Sequence, residues 1–198
     1  YEHGGDIKSF ALKNKCEINE VIDLSSNINF LKPEINLDFN TLDISAYPSY
    51  DDLYKALGKK YEVSENQIEV YNGGSSAIFS LFRSLSLKHC TIYAPAYLEY
   101  KKAAKNFSYT ISYVNRLNNI NEDIEENTFV IFVNPSTPDG KYYDIDALMN
   151  YWISKNASIL IDESFLDFTN AKSCKNYLHS YDKLYILKSM TKFYSSAS

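Results

Sequence analysis

At 198 residues and 45% hydrophobic content, the chain can bury a proper core as one domain. A net charge of −5 and a pI near 5.2 argue against nucleic acid or an anionic membrane surface as the main partner, since both require a concentrated basic face. No apolar run approaches the roughly 18–20 residues that cross a bilayer, and "YEHGGDIKSF" lacks a basic-then-apolar signal pattern, so a cytoplasmic protein is predicted. Cys16, Cys90 and Cys174 are odd in number and far apart, which predicts neither a disulfide framework nor a zinc site.

In chain order, the first ~45 residues read as loop and short extended pieces, with Pro33 and the Ser/Asn clusters of "DLSSNINF". We assign residues 1–46 to an N-terminal arm and 47–198 to a sheet domain, with the boundary near Tyr47-Pro48. Within that domain, short apolar runs of strand length recur: "IEVY" at 68–71, "CTIYA" at 90–94, "TISYV" at 110–114, "TFVIFV" at 128–133, "SILID" at 158–162 and "LYILKS" at 184–189. Several are apolar throughout, as strands covered on both faces are. Two helices are legible between them. Ile78, Leu81, Phe82 and Leu85 share one helical face, as do Ile145, Leu148, Met149, Trp152 and Ile153 behind a capping Asp144. Strand and helix in alternation predict an α/β domain with a mainly parallel central sheet and helices on both faces.

Ligands of such sheets collect at the C-terminal strand ends, and four of these ends carry polar chemistry. "VYNGGSSAIFS" places Gly73, Gly74 and Ser75 where a helix N-terminus could hold a phosphate, although a plain Ser-capped turn explains the same residues. "VNPSTPDG" enforces an irregular loop, for which turn chemistry alone is a sufficient reason. "SILIDESF" sets Asp162 and Glu163 directly after a core strand, a costly place for a carboxylate without a cation or donor. "LYILKSMTKFY" sets Lys192 just past another strand, where partial desolvation lowers an amine's pKa and frees a nucleophile. Together these are the parts of a pyridoxal phosphate site. The lysine holds the aldehyde as a Schiff base, the carboxylate keeps the ring nitrogen protonated, and the N–H cup holds the phosphate.

The sequence resembles the fold-type I pyridoxal phosphate enzymes, in the branch shared by histidinol-phosphate aminotransferase and L-threonine O-3-phosphate decarboxylase. The likeness runs from His3 to Tyr194. It implies pyridoxal 5′-phosphate as cofactor, Lys192 of "SMTKFY" as the Schiff-base lysine, Ser189 as a phosphate ligand, and Asp162 as partner of the pyridine nitrogen. It implies that Gly74 and Ser75 cup the phosphate and that Tyr97 of "APAYLEY" stacks on the ring. Tyr47 of "YPSY" would reach the cofactor phosphate of a partner subunit, which implies a homodimer. Thr137 stands where the family's loop has an asparagine on the ring hydroxyl. "HGGDI" and "DLSSNIN" are similar to the decarboxylase arm, which makes His3, Gly4 and Asn27 candidates for contact with a phosphorylated amino-acid substrate. Phe165 stands where many aminotransferases have a tyrosine.

The resemblance therefore implies a decarboxylase of O-phospho-L-threonine or O-phospho-L-serine that yields an amino alcohol phosphate. An aminotransferase of the histidinol-phosphate type is the alternative, and an inactive scaffold for dimerisation is a third reading. It also implies a smaller C-terminal domain that this sequence lacks, so the chain reads as a fragment of a longer enzyme. The two arginines, Arg83 on a helix and Arg116 in what reads as a polar loop, are both poorly placed to clamp a substrate's two anions.

Overall fold

The computed structural model describes residues 4–31 and 38–196. Five strands form a sheet in the order β2-β1-β3-β4-β5: β1 His89–Ala94, β2 Thr110–Asn115, β3 Phe129–Val133, β4 Ser158–Asp162 and β5 Leu184–Leu187. Every pairing is parallel, from His89 opposite Thr110 at one edge to Asp162 opposite Leu187 at the other. The helices are α1 Ile7–Asn14, α2 Asp51–Tyr61, α3 Gly74–Leu85, α4 Leu98–Asn106, α5 Asp146–Ser154 and the short α6 Met190–Phe193. The chain leaves β1 for β2 on one side, then returns past β1 to build β3, β4 and β5 on the other. The direction of winding thus reverses between β1 and β3, and a crevice opens there beyond the C-terminal strand ends.

Strands β3 and β4 are buried at every residue, which explains why they read as unbroken apolar runs. Their side chains still alternate between two cores. Val130, Phe132, Ile159 and Ile161 pack with Leu148, Met149 and Trp152 of α5 on one face. Phe129, Ile131, Val133 and Leu160 pack with Ile78 and Phe82 of α3 and Tyr100, Ala103 and Ala104 of α4 on the other. Trp152 is fully buried between Tyr93 and Phe132, and its indole N–H donates to the Tyr93 hydroxyl at 2.8 Å. Trp152→Ala should therefore cost about 3–5 kcal/mol in chemical denaturation, the usual range for emptying an aromatic site. A loss below about 1 kcal/mol would show that the α5 face is not a packed core.

Two local expectations are corrected. Residues 68–71 form no strand: the segment runs from a 3-10 turn at Glu65–Gln67 into an irregular bend before α3, without a partner strand among the described residues. Asp144 lies one position further from α5 than a cap requires. Ile145 holds the cap position, while the Asp144 carboxylate accepts from the backbone N–H of Asp146 at 3.1 Å. The arm carries α1 and two 3-10 turns, and residues 41–50 are exposed throughout. No described helix is long and apolar enough to cross a membrane.

Candidate functional site

The side-chain alternation of β4 decides where its two carboxylates go. Leu160 faces α4, so Asp162 does too, and Glu163 points to the opposite side. Asp162 is 6% exposed and well supplied with donors. The Tyr100 hydroxyl of α4 donates to its Oδ2 at 2.5 Å, and the Ser164 backbone N–H and hydroxyl donate to Oδ1 at 2.9 and 2.5 Å. Burial and the neighbouring carboxylate push the Tyr100 phenol well above its ordinary pKa, so it stays a neutral donor. Glu163 is absorbed in structure instead. It pairs with Lys188 at 2.7 Å and accepts from the Ser173 hydroxyl and the Cys174 N–H.

Past the end of β5, Ser189 takes the cap of α6, its hydroxyl accepting from the Thr191 N–H at 3.3 Å. Lys192 follows on that helix and is half-buried. Burial lowers the pKa of its amine, while the nearby charge of Asp162 works in the opposite direction. The arm reaches this helix. The Lys192 amine donates to Asn27 Oδ1 at 2.9 Å, the Asn29 N–H donates to the Lys192 carbonyl at 2.8 Å, and the Asn29 carboxamide donates to the Phe193 carbonyl at 3.0 Å. The Ser195 hydroxyl donates to the Asn29 carbonyl as well.

Gly4 joins the same assembly from further back. A Cβ there would lie 1.9 Å from the Ser25 carbonyl oxygen, so only glycine fits, and the Gly5 N–H donates to the Ser25 hydroxyl at 2.9 Å. His3 lies outside the described residues.

At the other side of the crevice, Gly73 adopts φ 88° and turns the chain into α3, whose first residue is Gly74. Nothing lies within 4 Å of where a Gly74 Cβ would sit, so this helix N-terminus opens on free space. Ser75 Oγ is 3.5 Å from the Tyr97 hydroxyl, and the Tyr97 ring stands edge-on to Tyr100 with centroids 6.2 Å apart. Contacts thus run from the N-terminus of α3 through Tyr97 and Tyr100 to Asp162. Thr137 lies in the loop after β3, half-buried, its carbonyl accepting from Arg116 at 2.7 Å. Tyr47 is fully exposed and meets none of these residues.

Two residues of the site were not read from sequence. Tyr100 sits three positions after Tyr97, one helical turn along the same face, and that spacing was its only signal. Arg116 was placed in a polar loop but is buried, because it continues the inward alternation of Val114 two residues earlier.

The sequence profile of the family "Aminotransferase class I and II" matches residues 18–198. The chain belongs to that family. Among curated class I/II relatives, it is 29% identical to a histidinol-phosphate aminotransferase of Clostridium beijerinckii, over 78% of this chain and 46% of that protein. It is 25% identical to the threonine-phosphate decarboxylase of Salmonella typhimurium, over 98% of this chain and 58% of that protein. Among solved class I/II folds it superposes on the L-threonine-O-3-phosphate decarboxylase of Porphyromonas gingivalis with a TM-score of 0.68 at 21% identity, over 75% of this chain and 47% of that one. The chain spans about half the length of the relatives it matches. Pyridoxal 5′-phosphate is the cofactor of this family. The residues fit it: an open helix N-terminus for a phosphate, a buried carboxylate for a ring nitrogen and a desolvated amine for an aldehyde.

Proposed function

We propose that the protein to which this chain belongs is a decarboxylase of a phosphorylated hydroxy-amino acid, O-phospho-L-threonine or O-phospho-L-serine. The observation that carries the reading is the contact between the arm and the lysine, in which the Asn27 carboxamide holds the Lys192 amine at 2.9 Å. The arm is the part of the sequence that resembles the decarboxylases, and here it meets the residue on which the chemistry depends.

Lys192 would be the covalent anchor of the cofactor, and Asp162 would be the partner of its ring nitrogen. The N–H groups of Gly74 and Ser75, with the Ser189 hydroxyl, would hold the phosphate, and Tyr97 would cover the ring face. When bound, pyridoxal phosphate supplies an electron sink for the bond broken at Cα. Asp162 is held in place by Tyr100 and Ser164, so its negative charge needs no reorganisation during the reaction. Asn27, with Gly4 and His3, binds the substrate and orients its carboxylate for loss. With carbon dioxide lost, Lys192 would deliver a proton to Cα, giving the amino alcohol phosphate. Tyr47, fully exposed here, serves the cofactor of the partner in a homodimer.

The aminotransferase reading uses the same lysine and carboxylate and differs in which Cα bond breaks. The full natural protein, loaded with pyridoxal phosphate, should release labelled carbon dioxide from carboxyl-labelled O-phospho-L-threonine or O-phospho-L-serine, with or without 2-oxoglutarate. No release, with amino transfer to the keto acid, would replace the decarboxylase by the aminotransferase.

A further inference from the structure

Arg116 follows the last residue of β2, and its backbone N–H extends the ladder to the Ala94 carbonyl at 3.1 Å. Its side chain is 0% exposed. A guanidinium in that place is costly unless its donors are used, and they are directed mainly at one loop. Nη2 donates to the Thr137 carbonyl at 2.7 Å and lies 3.7 Å from Asp139 Oδ1; Nη1 reaches the Tyr93 carbonyl at 3.5 Å. Nε has no hydrogen-bond partner among the described residues.

The loop is closed at its base without Arg116. Asn134 and Tyr143 exchange side-chain-to-backbone hydrogen bonds at 3.0 and 2.9 Å, and the Ser136 N–H donates to the Lys141 carbonyl at 2.8 Å. Asp139 accepts from the Ser136 hydroxyl and, at 3.4 Å, from the Tyr143 hydroxyl. Between these ties, the main chain of Thr137 is fixed by the guanidinium of Arg116, which follows β2. Threonine carries its hydroxyl on Cβ, one torsion from the backbone, so any backbone error at this position passes directly to the hydroxyl.

Resting on the functional reading above, we propose that Arg116 is a positioning residue that aims Thr137 at the ring hydroxyl oxygen of the cofactor. The buried guanidinium supplies, through the main chain, the accuracy that a short side chain cannot recover by rotating. Asp139 and Tyr143 are the titratable groups facing it, and neither replaces its bond to the Thr137 carbonyl.

The test uses the full natural protein with pyridoxal phosphate bound and follows the pH midpoint of its visible absorption. A hydrogen bond to the ring oxygen stabilises its anionic form, so losing that bond raises the midpoint. Thr137→Val should raise it by about half a unit to one unit. Arg116→Met should raise it as well, with cofactor affinity reduced about three- to tenfold, and in the double variant the two shifts should not add. Arg116→Lys keeps the charge but loses the fork, and should lie between wild type and Arg116→Met. It carries the comparison if Arg116→Met does not fold.

A wild-type midpoint in the Arg116 variants, or full additivity in the double variant, overturns this assignment and leaves the functional reading standing. A wild-type protein that binds no pyridoxal phosphate defeats the functional reading, and this assignment with it.

Discussion

Replacing Lys192 by Ala should abolish the visible absorption of bound cofactor and reduce turnover by at least about a thousandfold, in the full natural protein with either phosphorylated amino acid. The size follows from the number of tasks on one atom. In the proposed mechanism the Lys192 amine both anchors the cofactor covalently and returns a proton to Cα, and removing a group with both tasks exceeds the usual loss for a general acid or base alone.

Folding should be little affected, because Lys192 is half-buried and its amine donates to the exposed Asn27, while Asn29 grips the main chain, which alanine keeps. Lys188→Ala is the informative contrast. That lysine lies four residues earlier but on the other face, where it neutralises buried Glu163. Its loss should cost about 1.5–3 kcal/mol of stability, because Glu163 is buried but keeps its donors from Ser173 and Cys174, and leave the absorption of the folded fraction in place. Turnover by Lys192→Ala within tenfold of wild type would remove Lys192 from the chemistry.

The central strands were legible because β3 and β4 are buried on both faces, so composition alone marks them. Residues 68–71 are also rich in β-branched and aromatic residues and form no strand. Whether such a segment pairs depends on a neighbour, and no property of "IEVY" states whether one exists. The site divides along the same line. Asp162 could be found because a charge at the end of an apolar strand is anomalous in one dimension, and Lys192 because it stands in "SMTKFY" a few residues past another such strand. Tyr100 could not, since an aromatic on an amphipathic helix is ordinary until the fold sets its hydroxyl 2.5 Å from Asp162.

Arg116 does lie in the turn after β2, but its burial is not legible, for a related reason. The string "NRLNN" reads as loop, while the strand alternation that buries the side chain carries on one step past the last strand residue. The link from Gly5 to Ser25, and from Asn27 to Lys192, joins parts 20 and 165 residues apart. Contacts at that separation are set by tertiary structure and leave no local trace.

Asp162→Asn should reduce turnover about a hundredfold to a thousandfold, the range found when one preorganised electrostatic group is removed from a reacting centre. Asparagine keeps the shape and, with its one carbonyl oxygen, can still accept from Ser164, while its NH2 group faces the Tyr100 hydroxyl, which must turn to accept; the charge is lost and with it the Tyr100 donor bond. A second measurement isolates the charge directly. In protein stripped of cofactor, the Asp162 carboxylate raises the Lys192 pKa against the lowering effect of burial. Without the charge, the ammonium form loses support, and the pH midpoint for acylation of Lys192 should fall below that of wild type.

Tyr100→Phe separates orientation from charge. It leaves the carboxylate ionised but removes the donor on Oδ2, a charge-assisted bond worth about 1.5–3 kcal/mol, so turnover should fall about tenfold to a hundredfold. The Lys192 midpoint should stay near wild type, because the charge that raises it is still present. Wild-type turnover in Asp162→Asn would exclude Asp162 as the ring-nitrogen partner. A Lys192 midpoint that falls as far in Tyr100→Phe as in Asp162→Asn would mean that Tyr100 maintains the ionisation of Asp162 and not merely its orientation.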